Sequence, residues 1–158
     1  MREQVPPIEA AIIGTGAQGF WDAFQSFKVG NVEQFAPTWN WSAFFMGGFW
    51  YLYRKVYFWA GIAIGLSIFS LIPYIGVAIG PVTLIVNSVV ANYLYYLHVK
   101  EQAQKVRNAA VDENEALQIA QQIGGVNIWA IWVFAGYMVI VLVAIILSVV
   151  LQTRHSRT

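Results

Sequence analysis

The chain has 158 residues, 58% of them hydrophobic and 16% aromatic, with only 11% charged, where a soluble domain carries roughly 25%. A mean hydropathy of +0.57 points to a bilayer as the solvent for the excess apolar surface, and nine Lys and Arg against eight Asp and Glu give no broad positive field for gripping nucleic acid. With no cysteine, a disulfide framework, an iron–sulfur cluster, a thiolate zinc site and a catalytic thiol are all excluded.

The amino-terminal segment, 1–38, reads as cytoplasmic or interfacial. Between Ile8 and Phe27, the spacing of Phe20, Phe24 and Phe27 at i, i+4, i+7, with Trp21 beside them, predicts one face of an amphipathic helix lying on headgroups or on another helix. No cleavable leader is expected, because Glu3 and Glu9 bracket Pro6-Pro7 and the apolar run Ala10–Ile13 is short. Gly14-x-Gly16-x-x-Gly19 has dinucleotide-fingerprint spacing. It lacks room for the strand–helix–strand unit that fingerprint needs, so it reads as a hinge.

Residues 39–98 read as an aromatic interfacial helix followed by a transmembrane hairpin. Trp39, Trp41, Trp50 and Tyr53 surround Arg54-Lys55. Trp and Tyr favour headgroup depth, where Arg and Lys also reach lipid phosphate, so these six residues are the expected lipid anchors. From Val56 to Leu97 no charged residue occurs, long enough for two helical crossings of a roughly 30 Å hydrocarbon core. Pro73, Gly76, Gly80 and Pro81 predict the turn between Val56–Ile72 and Val77–Leu97. The first of these is the shorter and is either spanning or re-entrant. Gly61-x-x-x-Gly65 would let a helix backbone approach, within the hairpin or from a partner. Asn87 and Asn92, with Ser88 and Tyr95, make a polar seam that is either a hydrogen-bond zipper or a permeation or ligand path. His98 stands at the membrane exit as an interfacial titrating group, with a haem axial ligand the other chemistry one His can serve.

Residues 99–126 read as a cytoplasmic helical loop. Glu101 and Lys105 stand at i, i+4 on an extension of the second span. Asp112 and Glu115 have capping-box spacing ahead of the stripe Ala116, Ile119, Ala120, Ile123, ended by Gly124-Gly125. Residues 127–158 hold a third span, Ile128 to Leu151, and a short tail. Apart from Arg154 and Arg157, every Lys and Arg lies in the amino-terminal half or the loop after Leu97, which predicts a cytoplasmic amino terminus and loop.

The run Asn40-Trp41-Ser42-Ala43-Phe44-Phe45, then Trp50 and Tyr53-Arg54-Lys55, resembles the hallmark of a small bacterial inner-membrane family of unknown function. Ala91-Asn92, Tyr95-Tyr96, His98 and Lys100 resemble its second landmark, so the likeness covers about Pro37 to Arg107. Where that family is expected to have Gly-Pro, this chain has Gly47-Gly48. The resemblance implies membrane class and topology, and no activity.

The expected fold class is an all-α membrane protein: a helical hairpin, one further transmembrane helix and amphipathic interfacial helices. The acids Asp22, Glu33, Asp112, Glu113 and Glu115 show no nucleophile–base pairing. No catalysis, cofactor or metal is therefore expected. Lipid and either other membrane subunits or a second copy are the expected partners, and an accessory or interaction subunit the expected role. A homo-oligomeric channel or solute carrier, and a lipid-binding protein, are the alternatives.

Overall fold

The computed structural model describes residues 3–30, 32–69 and 75–155. Pro7 at the first position starts α1, Pro7–Ile13. Gly14 and Gly16 then take φ of 66° and 82°, a left-handed backbone that costs a side chain-bearing residue and favours glycine. The helix expected over Ile8–Phe27 is therefore two, α1 and α2, Ala17–Gln25, with the hinge between them. The Phe20–Phe24–Phe27 face lies on protein: Phe24 and Phe27 are fully buried. A two-stranded ribbon, β1 Lys28–Val29 and β2 Val32–Glu33, follows, with Lys28 opposite Glu33.

The expected interfacial helix is also broken. Asn40 caps α3, Trp41–Met46, by accepting from the Ala43 amide at 2.9 Å. Gly47 turns the chain with φ of 54° into α4, Gly48–Tyr53. The Arg54-Lys55 turn leads to α5, Tyr57–Phe69. Helix α6 runs Ile75–Ala109, 35 residues, about 52 Å. Pro81 lies inside it, a correction to the expected turn, whose residues 73 and 74 lie outside the described ones. Loss of one N–H has not ended the helix. The boundary drawn at 98/99 likewise falls within α6.

After α6, Asp112 caps α7, Glu113–Ile123, by accepting from the Glu115 amide at 2.8 Å, while the Glu115 carboxylate accepts from Val111 N at 2.7 Å. The capping pair forms as its spacing predicts. Asn127 accepts from the Trp129 amide and opens α8, Trp129–His155.

The core is one aromatic-rich cluster beneath the charged half of α6. Phe24 meets Tyr95 and Tyr96, Phe27 meets Tyr96 and Trp21 packs on Phe24, while Trp50 and Tyr51 close it from α4. Ring pairs such as Phe24–Tyr96 at 5.3 Å and Phe20–Tyr95 at 5.1 Å stand edge to face, worth about 0.5–1.5 kcal/mol each beyond the area buried. Helix α1 packs on both α6 and α7. Any Cβ on Gly124 would strike the Ala11 backbone, and the Gly125 amide donates to Ile12 O at 3.0 Å, so two chain segments meet backbone to backbone there. This body, called the cap below, unites the amino-terminal segment with residues 99–126. The two must lie on one side of any membrane that the apolar helices cross.

Among the described residues, two helices, over Ile79–Ala109 and Trp129–Arg154, are long and apolar enough to cross a membrane. Helix α5 is described over 13 residues, about 20 Å. The apolar half of α6 exposes Ile79, Val82, Ile85 and Val86, and α8 touches the rest through α4 at its base.

Candidate functional site

The Arg54-Lys55 turn, expected to face lipid, is held by protein instead. Arg54 is 9% exposed. Its Nη1 donates to Ile13 O at 3.2 Å and Thr15 O at 3.4 Å, and its guanidinium stands 4.3 Å over the Phe20 ring and 5.4 Å from that of Tyr95. The hinge at Gly14 and Gly16 leaves carbonyls that helix geometry does not satisfy, and a guanidinium with five fixed donors reaches them while stacking on aromatic faces. Among the described residues no carboxylate pairs with Arg54, and its Nε has no hydrogen-bond partner.

Lys55 takes φ of 61°, the one non-glycine residue with positive φ among those described. Its Nζ donates to Ile123 O at 3.0 Å and Gly124 O at 2.6 Å. An ammonium there meets the negative end of α7 and its unpaired carbonyls. Arg54 and Lys55 thus tie the hinge and the α7 terminus to the root of α5.

Of the expected anchors, Trp39 and Trp41 lie on the surface with ring centres 5.3 Å apart, Trp41 being 64% exposed. Trp50 is 1% exposed, packed between Phe20, Tyr51 and Tyr95, which removes it from any lipid contact. Tyr53 is half-buried with Arg54 over its ring. The Trp-rich run is therefore divided between surface and core, because α3 and α4 turn at Gly47.

The polar seam on α6 is filled by the segment before α3. Asn92 Oδ1 accepts from Asn40 Nδ2 at 2.8 Å and Asn92 Nδ2 donates to Thr38 at 3.1 Å. Asn87 donates to Ala43 O at 2.7 Å, and the Asn40 amide to Ser88 O at 3.0 Å. Tyr95, one helical turn on, is in the aromatic core. The sequence reading did not assign Asn40 a site role. Its signal was legible as a cap residue before an aromatic run, but the amide pair across 52 residues was not. Gly61 and Gly65 have open space where a Cβ would stand, whereas a Cβ on Gly48 would strike the Ile64 backbone and side chain of α5. The close approach of α4 to α5 uses Gly48, and no described residue stands within 4 Å of the place a Cβ would take at Gly61 or Gly65.

On the cap surface, Glu33 receives Lys100 Nζ at 2.6 and 2.7 Å and the Tyr96 hydroxyl at 2.9 Å. Lys100 first, and Tyr96 second, hold its carboxyl below the usual range. Arg107 pairs with Glu9 at 2.7 Å, linking α6 to α1. Burial pushes the Tyr51 phenol well above its ordinary value. His98, Leu94, Leu97 and Gln102 face a cavity of about 600 Å³ together with Arg54 and Lys55. No cluster of three metal-ligating side chains occurs among the described residues.

Among families of known sequence, the one described as "Protein of unknown function (DUF2628)" matches residues 13–101. That stretch contains the hinge, the Arg54-Lys55 turn, the amide pairs and the aromatic core. No curated protein and no solved structure matches the chain.

Proposed function

The chain belongs to the DUF2628 family over more than half its length, and we propose that it is a non-catalytic, multi-pass protein of a bacterial inner membrane, an accessory or interaction subunit with its amino terminus in the cytoplasm. The observation that carries this reading is α8. A soluble protein's core helix turns its apolar stripe inward, yet none of the most apolar stretch of Trp129–Arg154 is buried. Such a surface needs lipid or partner helices around it.

Other features support the finer parts. The likeness of the Asn40–Lys55 and Ala91–Lys100 runs to an inner-membrane family supports the location. Lys28, Lys100, Lys105 and Arg107 lie on the cap or its helices, which favours a cytoplasmic cap. Exposed Trp41 and Phe45, with ring centres 6.1 Å apart, suit headgroup depth. The amides of Asn87 and Asn92 already have protein partners, which favours a contact role over a water-lined path.

The test is in-membrane cross-linking from single cysteines at Val139 and Gly61, with mass spectrometry of the adducts after gentle extraction. One foreign subunit joined at stoichiometric yield is the expected result. A pure homo-oligomer whose liposomes pass ions, with flux abolished by Asn87→Leu, would replace this reading with a channel.

A further inference from the structure

The cavity beside the Arg54-Lys55 turn has a neighbour. It lies at the junction of α5, α6 and α7, and on α6 it reaches from Leu94 to Gln102. A second cavity, about 390 Å³ and largely apolar, lies between α5 and α6 from Gly80 to Leu94. The two share Trp59 and Leu94, so a cationic chamber adjoins an apolar slot along one helix. Both volumes fall in the range of roughly 300–1,000 Å³ typical of ligand sites.

Charge in the first chamber is not balanced. Arg54 is buried with no carboxylate partner among the described residues. Lys55 meets only backbone carbonyls, in a left-handed conformation of the kind that persists where surrounding contacts impose it, often at ligand clamps. Glu101, on the same wall, is neutralised by Lys105 at 2.6 Å. A guanidinium and an ammonium that no carboxylate balances are ordinary partners of a phosphate oxygen. The chamber also straddles the point where α6 changes from apolar, at Leu97, to charged, at Lys100, the depth of a lipid headgroup.

We propose that the two adjoining cavities bind one anionic phospholipid, its phosphate at Arg54-Lys55 and an acyl chain between α5 and α6. A free phosphate would use the first chamber and leave the apolar slot without an occupant, whereas a phospholipid fills both. This inference rests on the membrane reading above.

The experiment uses the full chain purified in mild detergent and exposed to equal amounts of phosphatidylglycerol and phosphatidylcholine, with retained lipid read by native mass spectrometry. One phosphatidylglycerol per chain is expected, in preference to phosphatidylcholine. Lys55→Gln should lower retention about fivefold, the effect of one cation near an anionic group. Leu97→Trp, which narrows the chamber and removes no charge, should lower it without changing helicity by circular dichroism. Equal retention of the two lipids, or a preference that survives both variants, overturns the site. Displacement by millimolar inorganic phosphate would overturn the phospholipid in favour of a small anion. Flotation of the chain with phosphatidylcholine vesicles tests the membrane reading by itself. A chain that fails to float sinks both, while one that floats but does not select phosphatidylglycerol loses only the lipid site.

Discussion

The cap and α8 are both helical and both rich in apolar residues, and they use those residues in opposite ways. In the cap, Phe24, Phe27, Trp50 and Tyr95 are enclosed by one another, and polar hinge and helix ends are closed by Arg54, Lys55 and Asp112. In α8, residues such as Ile140, Leu142 and Leu151 are more than half exposed. A packed core fixes each side chain's neighbours, so one deletion is felt throughout. A helix that presents its side chains to a uniform apolar medium has no such neighbours to lose.

The largest contrast should come from Trp50→Ala against Leu142→Ala. The first empties a buried site and should destabilise the cap by about 3–5 kcal/mol; the second should change it by less than about 0.5 kcal/mol. Thermal unfolding followed by near-ultraviolet circular dichroism measures both, and similar losses would erase the contrast between the cap and α8. Asn92→Leu comes next. It strands the Asn40 amide and the Thr38 hydroxyl, a loss of about 1–3 kcal/mol, and Asn92→Asp, whose carboxylate can accept from both groups but must bury a charge, should not restore it at neutral pH.

A backbone contact sharpens the same comparison. Gly124→Ala places a methyl group against the Ala11 backbone and should cost about 1–3 kcal/mol, whereas Gly61→Ala enters open space and should leave the chain's own stability unchanged. Urea titration of the two variants in detergent checks this; equal midpoints would show that α1 and the Gly124 turn separate easily. The smallest effect belongs to Glu33. Its folded carboxyl titrates below the ordinary 4.5, so its contribution is full above that value and is lost as pH falls through the lowered folded one. The melting temperature of the wild type should exceed that of Glu33→Gln at pH 7, with the gap closing below about pH 4 as Glu33 takes up its proton. A gap that widens on acidification would contradict the Lys100 pairing.

Local signals were legible where the physics is local. The Asp112 and Glu115 cap pair, the stop at Gly124, the Glu101–Lys105 pair and the hinge at Gly14 and Gly16 all involve residues within a few positions of each other. The long apolar run of α8 was equally plain. The fates of Arg54 and Trp50 were not. Trp, Tyr, Arg and Lys in one short run suit a headgroup belt and an aromatic core alike, and the deciding partners, Ile13 O, Thr15 O and Phe20, lie over thirty residues away.

By itself, the sequence determined a helical chain with more apolar surface than water can cover, the positions of its helix caps and hinges, and the polar residues that must find partners. These follow from residue type and short spacing alone. Only the tertiary structure decided that Asn40 meets Asn92, that Gly124 rather than Gly61 carries a backbone contact, and that Arg54 lies inside the cap beside a cavity. Each of these depends on which distant segments share a volume. Helical periodicity sets which face a residue occupies, and close packing between segments then sets what that face meets.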